Sequence, residues 1–183
     1  MARLSPSDWI HAAVRRLGQD GVDQVRVELL AKDLKVSKGS FYWHFADRAA
    51  LLTALLEAWE QEATQAIIDE VEGHPGPPAD RLWALAQRVF QTPRTVDLLE
   101  TALRAWAARD EAARAAVQRV DKRRVRYVSG LLAEVGMGKT EARRRAELMY
   151  RALIGEFALR SYGSPAISAA SLRALHATLI SPP

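Results

Sequence analysis

The run Lys38-Gly39-Ser40-Phe41-Tyr42-Trp43-His44-Phe45 gathers the groups needed to hold a nucleic acid. The Lys38 ammonium and the Ser40 hydroxyl can reach base edges or phosphates. Gly39 lets the backbone come close, and Tyr42 and His44 can donate to phosphate oxygens. Trp43 offers an indole N–H and an apolar plate for sugars or a thymine methyl. Arg48 adds a cation where the next helix begins, beside its positive dipole end. Phe41 and Phe45 lie four apart and turn one face of the segment inward. The bland alternative is a small packed cap of three helices whose aromatics only fill space. Phe41 and Phe45 suit that reading. Three further polar-tipped aromatics in a row, Tyr42-Trp43-His44, are hard to place in the same small core.

Such a segment works only if short helices present it. Ser5-Pro6-Ser7-Asp8 reads as a helix start, with a capping serine, proline at the first helical position and a capping-box acid. Ile10, Ala13, Val14 and Leu17 follow at helical spacing, and Gly18 and Gly21 are expected to close the helix. Residues 27–34 read as a short second helix with Leu30 and Leu34 on one face. Lys35-Val36 is a tight turn plugged by Val36, and Ser37 is the expected N-cap of a third helix running to about His44. Ala31 suits a close helix crossing. Together these predict a helix-turn-helix at roughly residues 26–45. Asp47 then caps a long fourth helix, about 48–72, with Leu52, Leu55, Leu56, Trp59, Ala63, Ala66 and Ile67 as apolar positions. His74-Pro75-Gly76-Pro77-Pro78 breaks the chain. Helices are expected beyond it at about 79–92, 95–108, 110–135, 139–162 and 168–180, with no strand pattern and no internal repeat. The expected fold is all-α with about nine helices. A three-helix helix-turn-helix domain over residues 1–47 is joined by the long helix to a bundle, so that 48–183 forms a ligand-binding and dimerisation domain.

Composition agrees with helix and excludes several chemistries. The 183 residues are 49% apolar and 26% charged, and they favour Ala, Leu, Arg and Glu over strand formers. No cysteine is present, which rules out disulfides, thiolate metal sites and thiol catalysis. No apolar run approaches the length needed to span a bilayer, and Met1-Ala2-Arg3-Leu4-Ser5-Pro6 has no apolar signal region, so the expected location is the cytoplasm. The net charge of +4 does not itself argue for nucleic acid. Residues 1–72 hold 8 Lys/Arg against 12 Asp/Glu, a net −4, and the basic excess lies in the rest of the chain. A few placed cations must therefore carry any DNA affinity.

The stretch Leu30-Ala31-Lys32-Asp33-Leu34-Lys35-Val36-Ser37-Lys38-Gly39-Ser40-Phe41-Tyr42-Trp43-His44-Phe45, followed by Asp47-Arg48 and Leu51-Leu52, resembles the signature of the TetR (tetracycline-repressor-like) family. The close match covers about residues 9–56. The resemblance implies an Ω-shaped homodimer in which Lys38, Gly39, Ser40, Tyr42, Trp43 and His44 read DNA and Arg48 meets phosphate. Two positions depart from the pattern. Where the family has Thr or Ser capping the second helix this chain has Arg26, which loses the cap but is placed to contact a phosphate. Where the family turn has Gly at positive φ this chain has Lys35, at a modest strain cost.

The second half carries two further expectations. The helix at 139–162 is apolar almost all round, with Met149, Tyr150, Leu153, Ile154 and Phe157 on one broad side and Leu148, Leu159 and Tyr162 on another. A helix without a polar face is buried on both sides, one of them against a second subunit. A homodimer interface of Tyr150, Ile154 and Phe157 with Leu172, Leu175 and Leu179 is expected, although which face meets the partner stays open. Trp83, Phe90, Leu99, Trp106, Val117, Val128 and Met149 are candidates to line a ligand cavity, or are ordinary core. Arg124 falls in the middle of the stripe Val117, Val120, Val128, Leu131 and Val135, with Asp121 close by. A stripe-facing arginine needs a partner, which can be Asp121, Glu100, Glu156 or an anionic ligand.

Other chemistry finds no footing. The four histidines lack metal-ligand spacing. Gly136-Met137-Gly138-Lys139 lacks the length and preceding strand of a phosphate loop. No Ser/His/Asp arrangement stands out, so no enzyme activity, metal or cofactor is expected. The expected partners are double-stranded DNA, a second copy of the chain and a small-molecule effector that releases a repressor from a near-palindromic operator. The competing class is a helical ligand-binding or interaction protein without sequence-specific DNA binding.

Overall fold

Four of the helices begin at a side-chain cap, from Ser5, Asp47, Asp110 and Ser168. The computed structural model describes residues 4–181, so Met1–Arg3 of the N-terminal reading lie outside it. Ser5 accepts from the Asp8 amide and the Asp8 carboxylate accepts from the Ser5 amide at 2.7 Å, closing the capping box that starts α1 (Pro6–Asp20). Gly18 lies inside this helix rather than ending it, and Gly21, at φ 83°, is the stop. A single 3-10 turn (Val22–Gln24) leads to α2 (Val27–Asp33), whose N-cap Arg26 makes no side-chain cap. Lys35 adopts φ 56°, the left-handed turn conformation expected of it. The third helix, α3 (Gly39–Tyr42), is shorter than expected and turns onward through hydrogen bonds from the His44 and Phe45 amides to the Phe41 carbonyl. Ser37 does not cap it. The residue before α3 is Lys38, already helical, so the turn is closed by backbone alone.

Asp47 accepts from the Ala50 amide at 2.8 Å and opens a rod that runs to Glu72 as α4 (Arg48–Glu60), a π turn (Gln61–Gln65) and α5 (Ala66–Glu72). Then come α6 (Pro78–Phe90), α7 (Arg94–Ala107), α8 (Glu111–Glu134), α9 (Lys139–Ser161) and α10 (Ala169–Ile180). Counting the rod once, the described residues form nine helices and no strand. None of these helices is long and apolar enough to cross a membrane.

The interior divides into two apolar clusters, but not at residue 47. The first joins Trp9, Phe41, Leu51 and Trp59 to Leu103 and Trp106 of α7 and Val117 and Val120 of α8. The N-terminal helices therefore complete their core against the larger bundle. At Gly18 the two parts come so close that a Cβ would sit 3.4 Å from the Leu99 backbone of α7. The second cluster links α5 and α6 to the C-terminal half of α8, α9 and α10, around Leu82, Phe90, Leu131, Met149 and Leu172.

Candidate nucleic-acid interface and internal cavity

Phe41 fixes the third helix and thereby decides what it shows. Its ring is fully buried, edge-on to Trp9 at 5.2 Å and stacked on Phe45 at 5.6 Å. With that face held inward, Tyr42 and Trp43 are turned out, 62% and 80% exposed. The two rings lie side by side in the sequence and leave adjoining apolar area in water. Lys38 and Gly39 are exposed beside them, and Ser40 and His44 are half-buried. Six of the eight proposed DNA residues therefore share one small surface.

The remaining two, Arg26 and Arg48, differ from each other. Arg26 is exposed at the start of α2 and bonds the Gln24 side chain at 3.0 Å. Arg48 is not displayed to a phosphate. Its Nε and Nη2 donate to the carbonyls of Val25 and Val22, each at 2.6 Å. The Val22 carbonyl also accepts from the Val25 amide at 3.1 Å, and the arginine, bonded at Val22 and just past the 3-10 segment at Val25, anchors that segment to the first turn of α4. Lys38 is paired with Glu28 of α2 at 2.8 Å, a contact that holds the Glu28 carboxyl below its usual range.

Behind the N-terminal helices lies a cavity of about 340 Å³, at the junction of α1, the rod and α6 to α9. Arg124, Val128 and Met149 line it as expected, with Leu99. Trp83 instead packs on His176, Phe90 and Trp106 are spent in the two cores, and Asp121 faces the other side of α8. Large aromatics at helical spacing fill cores first, and their types alone do not separate wall from interior.

One wall of the cavity is a charged network. Glu100 of α7 is almost fully buried. It accepts from Arg124 Nη2 at 2.8 Å, Arg104 Nη1 at 2.7 Å and Trp59 Nε1 at 3.2 Å. Burial pushes the Glu100 pKa up, but the two guanidiniums outweigh it and hold the carboxyl below its ordinary value. Arg104 continues to Asp121 at 2.9 Å and to the Tyr150 hydroxyl at 2.8 Å, and Tyr150 donates to Asp121 at 2.5 Å. Burial raises the Tyr150 pKa, so the phenol stays protonated. Arg124 also lies over the Trp59 ring, 5.5 Å from its centre. Its Nε donates to Thr64 Oγ1 at 3.1 Å and its Nη2 to the Ala63 carbonyl at 3.0 Å, both within the π turn. Of the partners considered for Arg124, the structure selects Glu100. Asp121 serves Arg104, and Glu156 accepts from the Ile167 amide at 2.7 Å. The spacing of Glu100 and Arg104, four apart on one helix, is the signal that could have revealed the network.

On the far side, Tyr150 and Ile154 border an open groove between α8 and α9. Phe157, Leu172 and Leu179, expected at a subunit interface, are buried in the protomer's own second core, and Leu175 packs partly against it. The face of α9 left to solvent is Leu148, Ala152, Gly155, Leu159 and Tyr162, in line at helical spacing. Periodicity found two apolar sides on this helix, and packing decided which was internal.

Residues 10–55 match the model of the family described as "Bacterial regulatory proteins, tetR family". The tetracycline repressor protein class A from transposon 1721 of Escherichia coli is 37% identical over 83 residues, which is 45% of this chain and 35% of that repressor. The chain thus aligns with about a third of that relative's length. Among solved structures, a transcriptional regulator from Rhodococcus sp. Rha1 superposes with a TM-score of 0.76 at 23% identity, covering 97% of this chain and 94% of that one. A transcriptional regulator from Saccharomonospora viridis, solved in complex with choline, gives a TM-score of 0.75 at 16% identity, covering 95% and 92%. These two likenesses show the fold.

Proposed function

We propose that the chain, whose residues 10–55 match the model of the tetR family of bacterial regulatory proteins, is a DNA-binding transcription regulator of that family. It acts as a homodimeric repressor on a near-palindromic operator and is released by a small molecule held in the internal cavity. Residues up to 47 form the DNA-binding unit in this reading, and 48–183 the effector and dimer unit. The observation that carries the reading is the third helix, where a fully buried Phe41 forces Tyr42 and Trp43 into solvent beside Lys38. No packing purpose within the protomer accounts for that exposure.

The solvent-facing stripe Leu148, Gly155, Leu159 and Tyr162 supports pairing of α9 with a second copy, with α10 beside it. A two-fold dimer would set its recognition helices about 34–36 Å apart, one turn of duplex. The competing reading, a helical ligand-binding protein without DNA specificity, draws support from the net −4 of residues 1–72. Salt-dependent binding to a selected duplex separates the two. The regulator reading expects Tyr42→Ala and Trp43→Ala to lose preference for that duplex while the dimer and melting temperature stay intact. Unchanged preference in both variants would refute it.

A further inference from the structure

The internal cavity carries a statement about the chemistry of its ligand, and this rests on the effector reading just given. Charge near the cavity cancels. Glu100 and Arg124 on the wall, with Arg104 and Asp121 behind them, make two negative and two positive groups, and each is already paired within the protein. A ligand with a net charge entering this space would lose its hydration without gaining a free counter-ion, a heavy cost in a low-dielectric interior. The rest of the wall is mainly apolar, with Val14, Ile67, Leu99, Met149 and Phe157, and its other charged groups are Arg88, paired with Glu70 at 3.0 Å, and Glu62, an exposed carboxylate 3.8 Å from His11.

The donors on that wall are not all used. Arg124 carries five N–H groups: those on Nε and Nη2 serve Thr64, Ala63 and Glu100 and a further one is directed at the Tyr150 hydroxyl, which leaves one to spare. The neighbouring Tyr150 hydroxyl is engaged with Arg104 and Asp121. The cavity therefore presents an N–H donor whose charge is already balanced, which suits a neutral acceptor such as a carbonyl or ester oxygen. A volume near 340 Å³ corresponds to about eleven water-sized groups at roughly 30 Å³ each.

We propose that the effector is a neutral, mainly apolar molecule of about that size, whose hydrogen-bond acceptor is received by Arg124. The same guanidinium holds the Ala63 carbonyl and Thr64 in the π turn, so the acceptor engages the side chain that joins α8 to the rod. The other end of that rod is where Arg48 anchors the segment before the recognition helices. Ligand occupancy is thus read at the one wide turn interrupting a helix that touches both parts of the molecule.

Decan-2-one, decanoate and decylammonium are matched in length and differ in charge, and their binding to the full chain at neutral pH tests the proposal. Titration calorimetry should show the ketone binding roughly tenfold or more tightly than either ion. The ketone should also raise the melting temperature. Thr64→Val removes one partner of Arg124 and keeps the ion pair. It should retain ketone binding but change how far the ketone weakens binding to the selected duplex. Arg124→Lys should lose most of the ketone preference, and Thr64→Val guards against a folding failure in that variant. Tighter binding of decanoate or decylammonium, or no binding of any of the three, overturns the proposal. Duplex binding measured on the same preparation without probe tests the regulator reading separately, so the two can fail independently.

Discussion

Arg48 and Lys38 carry the same charge and serve different ends. Arg48 is spent on two backbone carbonyls, so Arg48→Ala should lower unfolding free energy by about 1.5–3 kcal/mol, the range for hydrogen bonds to a charged group. Urea denaturation gives that value. The variant's DNA binding should keep its salt slope, whereas a slope reduced by about one would put the guanidinium on a phosphate after all. Glu100 makes a second residue-scale prediction. Glu100→Gln leaves the largely buried Arg124 without a carboxylate, while Arg104 keeps Asp121, and should cost about 3–5 kcal/mol at neutral pH. The Glu100 pKa is lowered in the folded state, so its contribution is present above the ordinary glutamate value of 4.5 and is lost as pH falls through the lowered one. The stability gap between wild type and variant should therefore narrow below that pH. At this scale the sequence was uneven. Residue type and spacing predicted that Tyr42 and Trp43 stay out of the core and that Arg124 needs a partner. They could not show that Arg48 points at Val22 and Val25, because that contact joins segments more than twenty residues apart.

Elements form where local chemistry and tertiary packing agree, and two places here show the local cost. Lys35 sits at φ 56° in the turn between α2 and α3, a conformation that a Cβ disfavours. Lys35→Gly should remove that strain and raise stability by about 1 kcal/mol, read as a higher urea midpoint with unchanged slope. A fall in stability would mean that the lysine side chain contributes more than its backbone costs. The caps at Ser5 and Asp47, the turn at Lys35 and the break at His74–Pro78 were legible because each rests on one or two neighbouring residues. The π turn was not. Gln61–Gln65 carries no glycine or proline to announce it, and the Ala63 carbonyl and Thr64 hydroxyl within it are met by an arginine about sixty residues away. The third helix was overextended for a related reason, since only four residues hold helical geometry before the chain turns toward Asp47.

The whole molecule couples its two ends through shared packing. The N-terminal core is completed by α7 and α8, and the cavity touches α1, the rod and the bundle at once. A change in the cavity wall therefore acts on helices that also hold the third helix in place. The all-α fold and the nine helices of the described residues could be read from periodicity and breaks. The division of the core, and the choice between the two apolar sides of α9, required the packed structure. That choice yields a prediction: Leu148→Glu, on the solvent-facing stripe, should convert a dimer to a monomer in light scattering while circular dichroism and melting temperature stay near wild type. A variant that remains dimeric would place the interface elsewhere. The central claim is that residues 26–45 present a sequence-reading surface, and selection of bound sites from a random duplex library tests it most directly. A near-palindromic site with half-sites about one helical turn apart, bound far more tightly than random DNA at physiological salt, is the result expected. A library that yields no duplex bound more tightly than random sequence would contradict it.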